Sequence, residues 1–209
     1  MSNVRARNKV LCALFTALIA VGAWIQIPLP FLSVTLQTFF VLTAGYLLGA
    51  KLAALSATLY MVIGLMGVPV FSGGGGLSYV LRPSFGYIIG FVVGAWVTGF
   101  LTEQIARNPA KEYTQRKVKQ KNDCIDQKRR QNKTRLGALI LAGTAGLACI
   151  YLIGILYFTA IHWLYLKDGM AFSQIFLYCF VLCIPGDAIS CVMAAFVARR
   201  LRIQRFCLA

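Results

Sequence analysis

Apolar stretches long enough to cross a bilayer recur along most of this 209-residue chain, and they leave little room for any other architecture. Hydrophobic residues make up 59% of the sequence and charged residues 13%, a balance that excludes an ordinary soluble domain and fits one compact membrane domain over 1–209. A helix needs about 20 residues to cross roughly 30 Å of hydrocarbon, fewer where neighbours shield it. The pattern predicts six helices, over Val10–Ile27, Leu36–Ala50, Lys51–Gly67, Ser84–Ile105, Leu136–Trp163 and Phe172–Ala198. The second and third abut at Gly49-Ala50-Lys51, where the apolar run is too long for one crossing and Gly49 offers a turn. The expected fold is an all-α polytopic bundle of six transmembrane helices.

The cations orient it. Arg5, Arg7 and Lys9 precede the first helix, and Lys51 lies between the second and third. Eleven Lys and Arg fall between Arg107 and Arg135, and Arg199, Arg200, Arg202 and Arg205 close the chain. With both termini in the cytoplasm, nineteen of the 21 cations lie inside and only Arg82 and Lys167 outside. Positive residues are retained on the cytoplasmic side, so six crossings of a cell membrane follow. The first helix also has the form of a secretory signal, with an exit at Val21-Gly22-Ala23, but its removal would leave five crossings and spoil that asymmetry.

A net charge of +15 raises the question of nucleic acid. The basic stretch at 107–135 has Tyr113 as its single aromatic and no recognisable nucleic-acid module. It reads as a solvated cytoplasmic loop resting on anionic lipid headgroups, with a docking arm as the alternative. The seven cysteines form no CxxC pair, and Cys179 and Cys183, four residues apart, have no His or carboxylate ligand beside them. Packing is the expected role, with no metal and no cofactor.

Asp187 is the only carboxylate inside a predicted span away from its ends. An acid in lipid costs several kcal/mol and usually meets a partner, an ion or a substrate in the protein interior. Pro185 just before it removes one helical hydrogen bond and frees the carbonyl of Val181. The combination points to a binding site. An aspartyl protease would need two carboxylates sharing a proton. Glu103 stands at a cytoplasmic helix end, the sole histidine, His162, reads as an interfacial residue, and no nucleophile motif is present. An enzyme is therefore not expected, an intramembrane hydrolase included. A proton-coupled small-molecule carrier with Asp187 as relay is the rival among transporters.

Small residues four apart mark Ala13 and Ala17 in the first helix, Gly45 and Gly49 in the second, and Gly86, Gly90 and Gly94 in the fourth. This spacing lets membrane helices approach closely; for the fourth helix it reads as internal packing, and for the first as a face open to a partner. Between the third and fourth helices, Gly73, Gly74, Gly75 and Gly76 form a run bordered by Pro69, Phe71, Tyr79, Pro83 and Tyr87. No Gly-Lys-Ser/Thr follows, so it is no ATP-binding loop. Flexible backbone framed by rigid groups suits a lid. In the first outer loop Pro28 and Pro30 stiffen the chain, and Thr35, Gln37 and Thr38 bring polar groups to the mouth of the second helix.

Taken in order, Pro-Leu-Pro-Phe at 28–31, Val-Thr-Leu-Gln-Thr-Phe-Phe-Val-Leu at 34–42, Gly-Val-Pro-Val-Phe-Ser and the four glycines at 67–76, Arg-Pro-Ser-Phe-Gly-Tyr at 82–87 and Pro-Gly-Asp at 185–187 resemble the BioY family. These are biotin-binding S components of energy-coupling-factor (ECF) vitamin transporters, and the likeness covers nearly the whole chain apart from the basic stretch. It implies a six-helix bundle that binds biotin and joins a transmembrane T component with paired ATPases. By the same resemblance Asp187 contacts biotin, Gly73–Gly76 belong to a gating loop, and Ala13 and Ala17 face the T component. The family usually carries Lys three residues after the Asp, where this chain has Ser190.

Biotin offers two ureido N–H donors, a carbonyl, a thioether ring and a valerate carboxylate. A carboxylate only accepts, so Asp187 suits the ureido N–H groups. Ser190, on the same helical face, can hydrogen-bond but cannot neutralise a charge. Arg82 is the outer cation beside the glycine run, and its fork can bind the valerate; snorkelling at the headgroups is its other reading. Phe71, Tyr87 and Trp24 are candidates to cover the rings. The chain carries no ATP-hydrolysing motif, so accumulation requires partner ATPases unless it works alone, as a monomer or homo-oligomer, as a facilitator.

Overall fold

The computed structural model describes residues 2–28, 33–116, 124–166 and 183–207. Among them stand six α-helices: α1 (Ser2–Trp24), α2 (Gln37–Leu48), α3 (Ala50–Leu65), α4 (Phe85–Arg116), α5 (Cys124–Ile161) and α6 (Ile184–Cys207). The part of the last helix expected over 172–182 lies outside the described residues. Stretches within α1, α4 and α5 into the following turn, at Ala6–Trp24, Phe85–Ala106 and Leu136–Leu164, are long and apolar enough to cross a membrane, and α2 and α3 are shorter apolar helices.

The break expected at Gly49 is present. Gly49 adopts φ +81, a conformation that L side chains rarely take, and separates α2 from α3. Glu103 of α4 explains how the new helix starts there: its Oε1 accepts the backbone N–H of Ala50 at 2.9 Å. That carboxylate satisfies one of the N–H groups a helix start leaves without an internal partner.

Two stretches differ from expectation. Helix α1 ends at Trp24 rather than Ile27, and the chain forms an antiparallel ribbon of β1 (Gln26–Pro28) and β2 (Ser33–Thr35), pairing Gln26 with Thr35 and Ile27 with Val34. Pro28 disfavours helical dihedrals at Ile27, so an extended backbone takes over. The basic stretch at 107–135, expected as a loop, is largely helical: α4 runs on to Arg116 and α5 starts at Cys124. Its many Lys, Arg and Gln residues are good helix formers, and charge does not report conformation.

Close approach of α4 and α5 organises the bundle. A Cβ at Gly90 would meet the Ile150 carbonyl oxygen at 2.9 Å, and one at Gly94 would meet the Ile150 side chain and the Gly146 carbonyl. Glycine at these positions lets the two backbones come together, which is the internal packing role expected of α4. The main apolar core gathers Ile19, Val41, Tyr60, Phe91 and Ile150 from the first five helices. A second cluster joins α2, α5 and α6 around Tyr46, whose hydroxyl donates to the Leu139 carbonyl at 2.9 Å.

Candidate ligand site

Asp187 sits in the first turn of α6 and faces neighbours from two other helices. The Tyr151 hydroxyl of α5 donates to its Oδ2 at 2.5 Å, and Thr38 of α2 lines the cavity beside it. Tyr151 holds one carboxylate oxygen and leaves acceptor positions to spare. Tyr87 of α4 packs edge-on against Tyr151, ring centroids 6.1 Å apart.

These groups form one end of a cavity of about 60 Å³. Its walls are apolar where Ile88, Phe91 and Ile150 meet, and polar at the other end, where Thr35, Gln37, Tyr60, Ser72, Tyr79 and Ser84 line it. That second polar group is internally bonded. Gln37 receives the Thr35 hydroxyl at 3.1 Å and donates its Nε2 to the Tyr60 oxygen at 2.6 Å, while Ser84 donates to the Tyr79 oxygen at 3.2 Å. The lining chemistry, a carboxylate acceptor, apolar walls and mixed donor–acceptor side chains, suits a small polar ring carrying N–H groups and a polar tail, and at about 60 Å³ the cavity must widen to take one.

The glycine run adjoins this cavity, between the lining residues Ser72 and Tyr79, in a bonded arrangement. Phe71 and Gly74 exchange backbone hydrogen bonds of 3.0 and 3.1 Å, and the Gly76 N–H reaches back to the Gly64 carbonyl of α3 at 2.8 Å. Gly74 and Gly76 hold φ of +114 and +102, and a 3-10 turn over Leu77–Leu81 follows. Gln26 of the ribbon donates to the Ser72 carbonyl at 3.3 Å, so ribbon and glycine segment meet above the site.

The site residues expected from sequence divide into groups. Asp187, Gln37, Thr35 and Tyr87 line the cavity together. Phe71 is buried behind it, between the rings of Tyr60 and Tyr79 at 5.4 and 4.6 Å, and backs the wall instead of lining it. Ser190 is buried one turn beyond Asp187 and does not line the cavity. Arg82 is exposed, its guanidinium 5.3 Å from the centroid of the Tyr79 ring, so that ring stands between the cation and the cavity. Trp24 is 73% exposed at the end of α1, away from the lining. His162, expected at the interface, is buried and stacked on Phe158 at 4.5 Å. Val181, the carbonyl expected to be freed by Pro185, lies outside the described residues. Among the described residues no group of three His, Cys, Asp or Glu is placed to hold a metal.

A family model described as the BioY family matches residues 1–205. The chain belongs to the BioY family. A probable biotin transporter BioY of Lysinibacillus sphaericus is 38% identical over 196 residues, covering 93% of this chain and 86% of the relative. The biotin transporter BioY of Thermotoga maritima is 33% identical over 197 residues, covering 94% of this chain and 96% of the other. Among solved structures, the S-component for biotin from an ECF-type ABC transporter matches with a TM-score of 0.72 at 23% identity, over 97% of this chain and 94% of that one. At that identity the likeness bears on the fold, and it supports the six-helix bundle of a BioY membrane protein.

Sequence reasoning passed over Tyr151, Tyr60, Ser72 and Ser84 in this BioY chain. A signal for the two tyrosines existed: a phenol in the middle of an apolar helix needs hydrogen-bond partners, and asking for them leads from Tyr151 to Asp187, and from Tyr60 to its donor Gln37 and its acceptor, the Val70 carbonyl.

Proposed function

We propose that this chain takes up biotin as the substrate-binding membrane component of an ECF-type transporter. The observation that carries the reading is the carboxylate of Asp187, held by Tyr151 in a cavity with apolar walls. Biotin's ureido N–H groups fit that acceptor, its rings fit the wall of Ile88, Phe91 and Tyr87, and its valerate points to the hydroxyls of Ser72, Tyr79 and Ser84. Arg82 stands behind Tyr79 as the cation nearest that end, in the role a lysine at position 190 cannot fill here. Ser190 supports the helix face of Asp187, and the Gly73–Gly76 segment opens and closes the entry.

The partners follow from the same reading. Ala13 and Ala17 are exposed on α1 and offer a small-residue face to a T component, whose paired ATPases supply the energy. Alone, as monomer or homo-oligomer, the chain can only equilibrate biotin. Both termini and the basic ends of α4 and α5 face the cytoplasm of the cell membrane, near anionic headgroups.

Labelled biotin uptake is measured in cells expressing this chain alone and then together with a T component and ATPases. Uptake above the vector control in either case supports the proposal. No uptake in either, with no biotin binding by the purified protein, sinks it.

A further inference from the structure

Tyr60 belongs to two cavities at once. Its phenol lines the polar cavity with Gln37 and Asp187. Its ring also lines a separate groove of about 300 Å³ on the face shared by α1 and α3, with Ala13, Ala17 and Val70. The side chain is 1% exposed, so it is the partition between the two.

A directed chain of hydrogen bonds passes through that partition. Thr35 donates to the Gln37 carbonyl oxygen at 3.1 Å, the Gln37 amide donates to the Tyr60 oxygen at 2.6 Å, and the Tyr60 hydroxyl donates to the Val70 carbonyl at 3.2 Å. Thr35 and Gln37 face the polar cavity, and Val70 walls the groove. The Tyr60 ring cannot move alone. It packs edge-on against Phe71 at 5.4 Å, and Phe71 is seated over Gly64, where a Cβ would overlap its ring. Phe71 is in turn bonded to Gly74 of the glycine segment.

We propose that Tyr60 couples occupancy of the polar cavity to the shape of the α1–α3 groove. A ligand polar group that engages the Gln37 amide draws it from the phenol. The Tyr60 hydroxyl then donates to the ligand in place of the Val70 carbonyl, and the groove wall formed by Val70 and the Tyr60 ring shifts. Tyr60 is a positioning residue in this scheme, which rests on the biotin reading above. It gives the face carrying Ala13 and Ala17 a way to register whether the site is filled, with no separate sensor.

The test uses the full chain in lipid nanodiscs with Ala17→Cys as reporter. The maleimide labelling rate at position 17, read by mass spectrometry of that peptide, is compared with and without saturating biotin. With Tyr60 present, biotin is expected to change the rate by about fivefold or more, the low end of coupling between sites. Tyr60→Phe keeps the ring and removes the hydroxyl. It is expected to retain biotin binding within about tenfold, the scale of one ordinary hydrogen bond, while the rate no longer responds to biotin. A response that persists in Tyr60→Phe overturns the coupling. So does an unresponsive rate in the Tyr60 protein when calorimetry shows biotin bound, or complete loss of binding in Tyr60→Phe, which would make the residue a ligand holder only. Failure of the Tyr60 protein itself to bind biotin refutes the ligand reading, and the coupling falls with it.

Discussion

Replacing Asp187 by Asn separates the ligand role of this carboxylate from any structural one, because the two roles predict opposite changes in stability. A carboxylate has about four lone-pair directions, and Tyr151 occupies one of them. The others are available to N–H donors. In Asp187→Asn the amide oxygen keeps Tyr151, so the new NH2 group is what faces the ligand. Donor then meets donor. Hydrogen bonds to charged groups contribute about 1.5–3 kcal/mol each, so losing one or two and opposing the dipoles costs about 3 kcal/mol of binding. That is a rise in Kd of roughly 100-fold or more. Without ligand, the variant exchanges a costly partly buried charge for a neutral group that keeps its donor, so its thermal midpoint should equal or exceed that of the parent. Isothermal titration with biotin and thermal unfolding of the same detergent-solubilised samples give both numbers. An unchanged Kd would refute Asp187 as the ureido acceptor. A fall in affinity matched by a fall in midpoint would show that the carboxylate holds the helices together instead.

Gly74→Ala introduces a Cβ that meets no atom within 4 Å, so its effect is confined to the backbone at φ +114. The strain is about 1–2 kcal/mol, and it should lower the ligand-free thermal midpoint and speed biotin release measured by stopped flow; an unaltered off-rate would remove the segment from the gate. Arg82→Gln should weaken biotin and leave biotinamide, which lacks the carboxylate charge, within about threefold, since one ion pair at an exposed site contributes about 1 kcal/mol or less. Equal losses for both ligands would show that Arg82 does not act on the valerate.

Legibility from sequence followed physical scale. Membrane spans are long-range sums over many residues, so six helices and the Gly49 break emerged without a structure. Asp187 was conspicuous because one acid in an apolar run is costly wherever the run folds. Its partner was not, because Tyr151 in an apolar helix looks like any core aromatic. What pairs it with Asp187 is the packing of α5 against α6, a contact across 36 positions. The same holds for Tyr60, 23 positions from Gln37. Pro28 and Pro30 announced that a helix had ended but carried no register, so the ribbon pairing Gln26 with Thr35 was invisible. At 107–116 and 124–135 the charge concealed a helical backbone.

The helix break at Gly49 also has a consequence for the lipid. Helix α3 has 16 residues, which at 1.5 Å per residue is about 24 Å, against a hydrocarbon core of roughly 30 Å. Leu55, Leu59 and Val62 of α3 are exposed, so this short belt meets lipid directly. Acyl chains beside it must compress or splay, at a cost of fractions of a kcal/mol for each ångström of mismatch. The face that adjoins Ala13 and Ala17 is thus unfavourable for lipid. On the proposal that a T component docks there, mismatch lowers the cost of exchanging those acyl chains for a partner helix. Association should strengthen as the acyl chains of a reconstituted bilayer are lengthened, and an affinity indifferent to thickness would remove mismatch from the account.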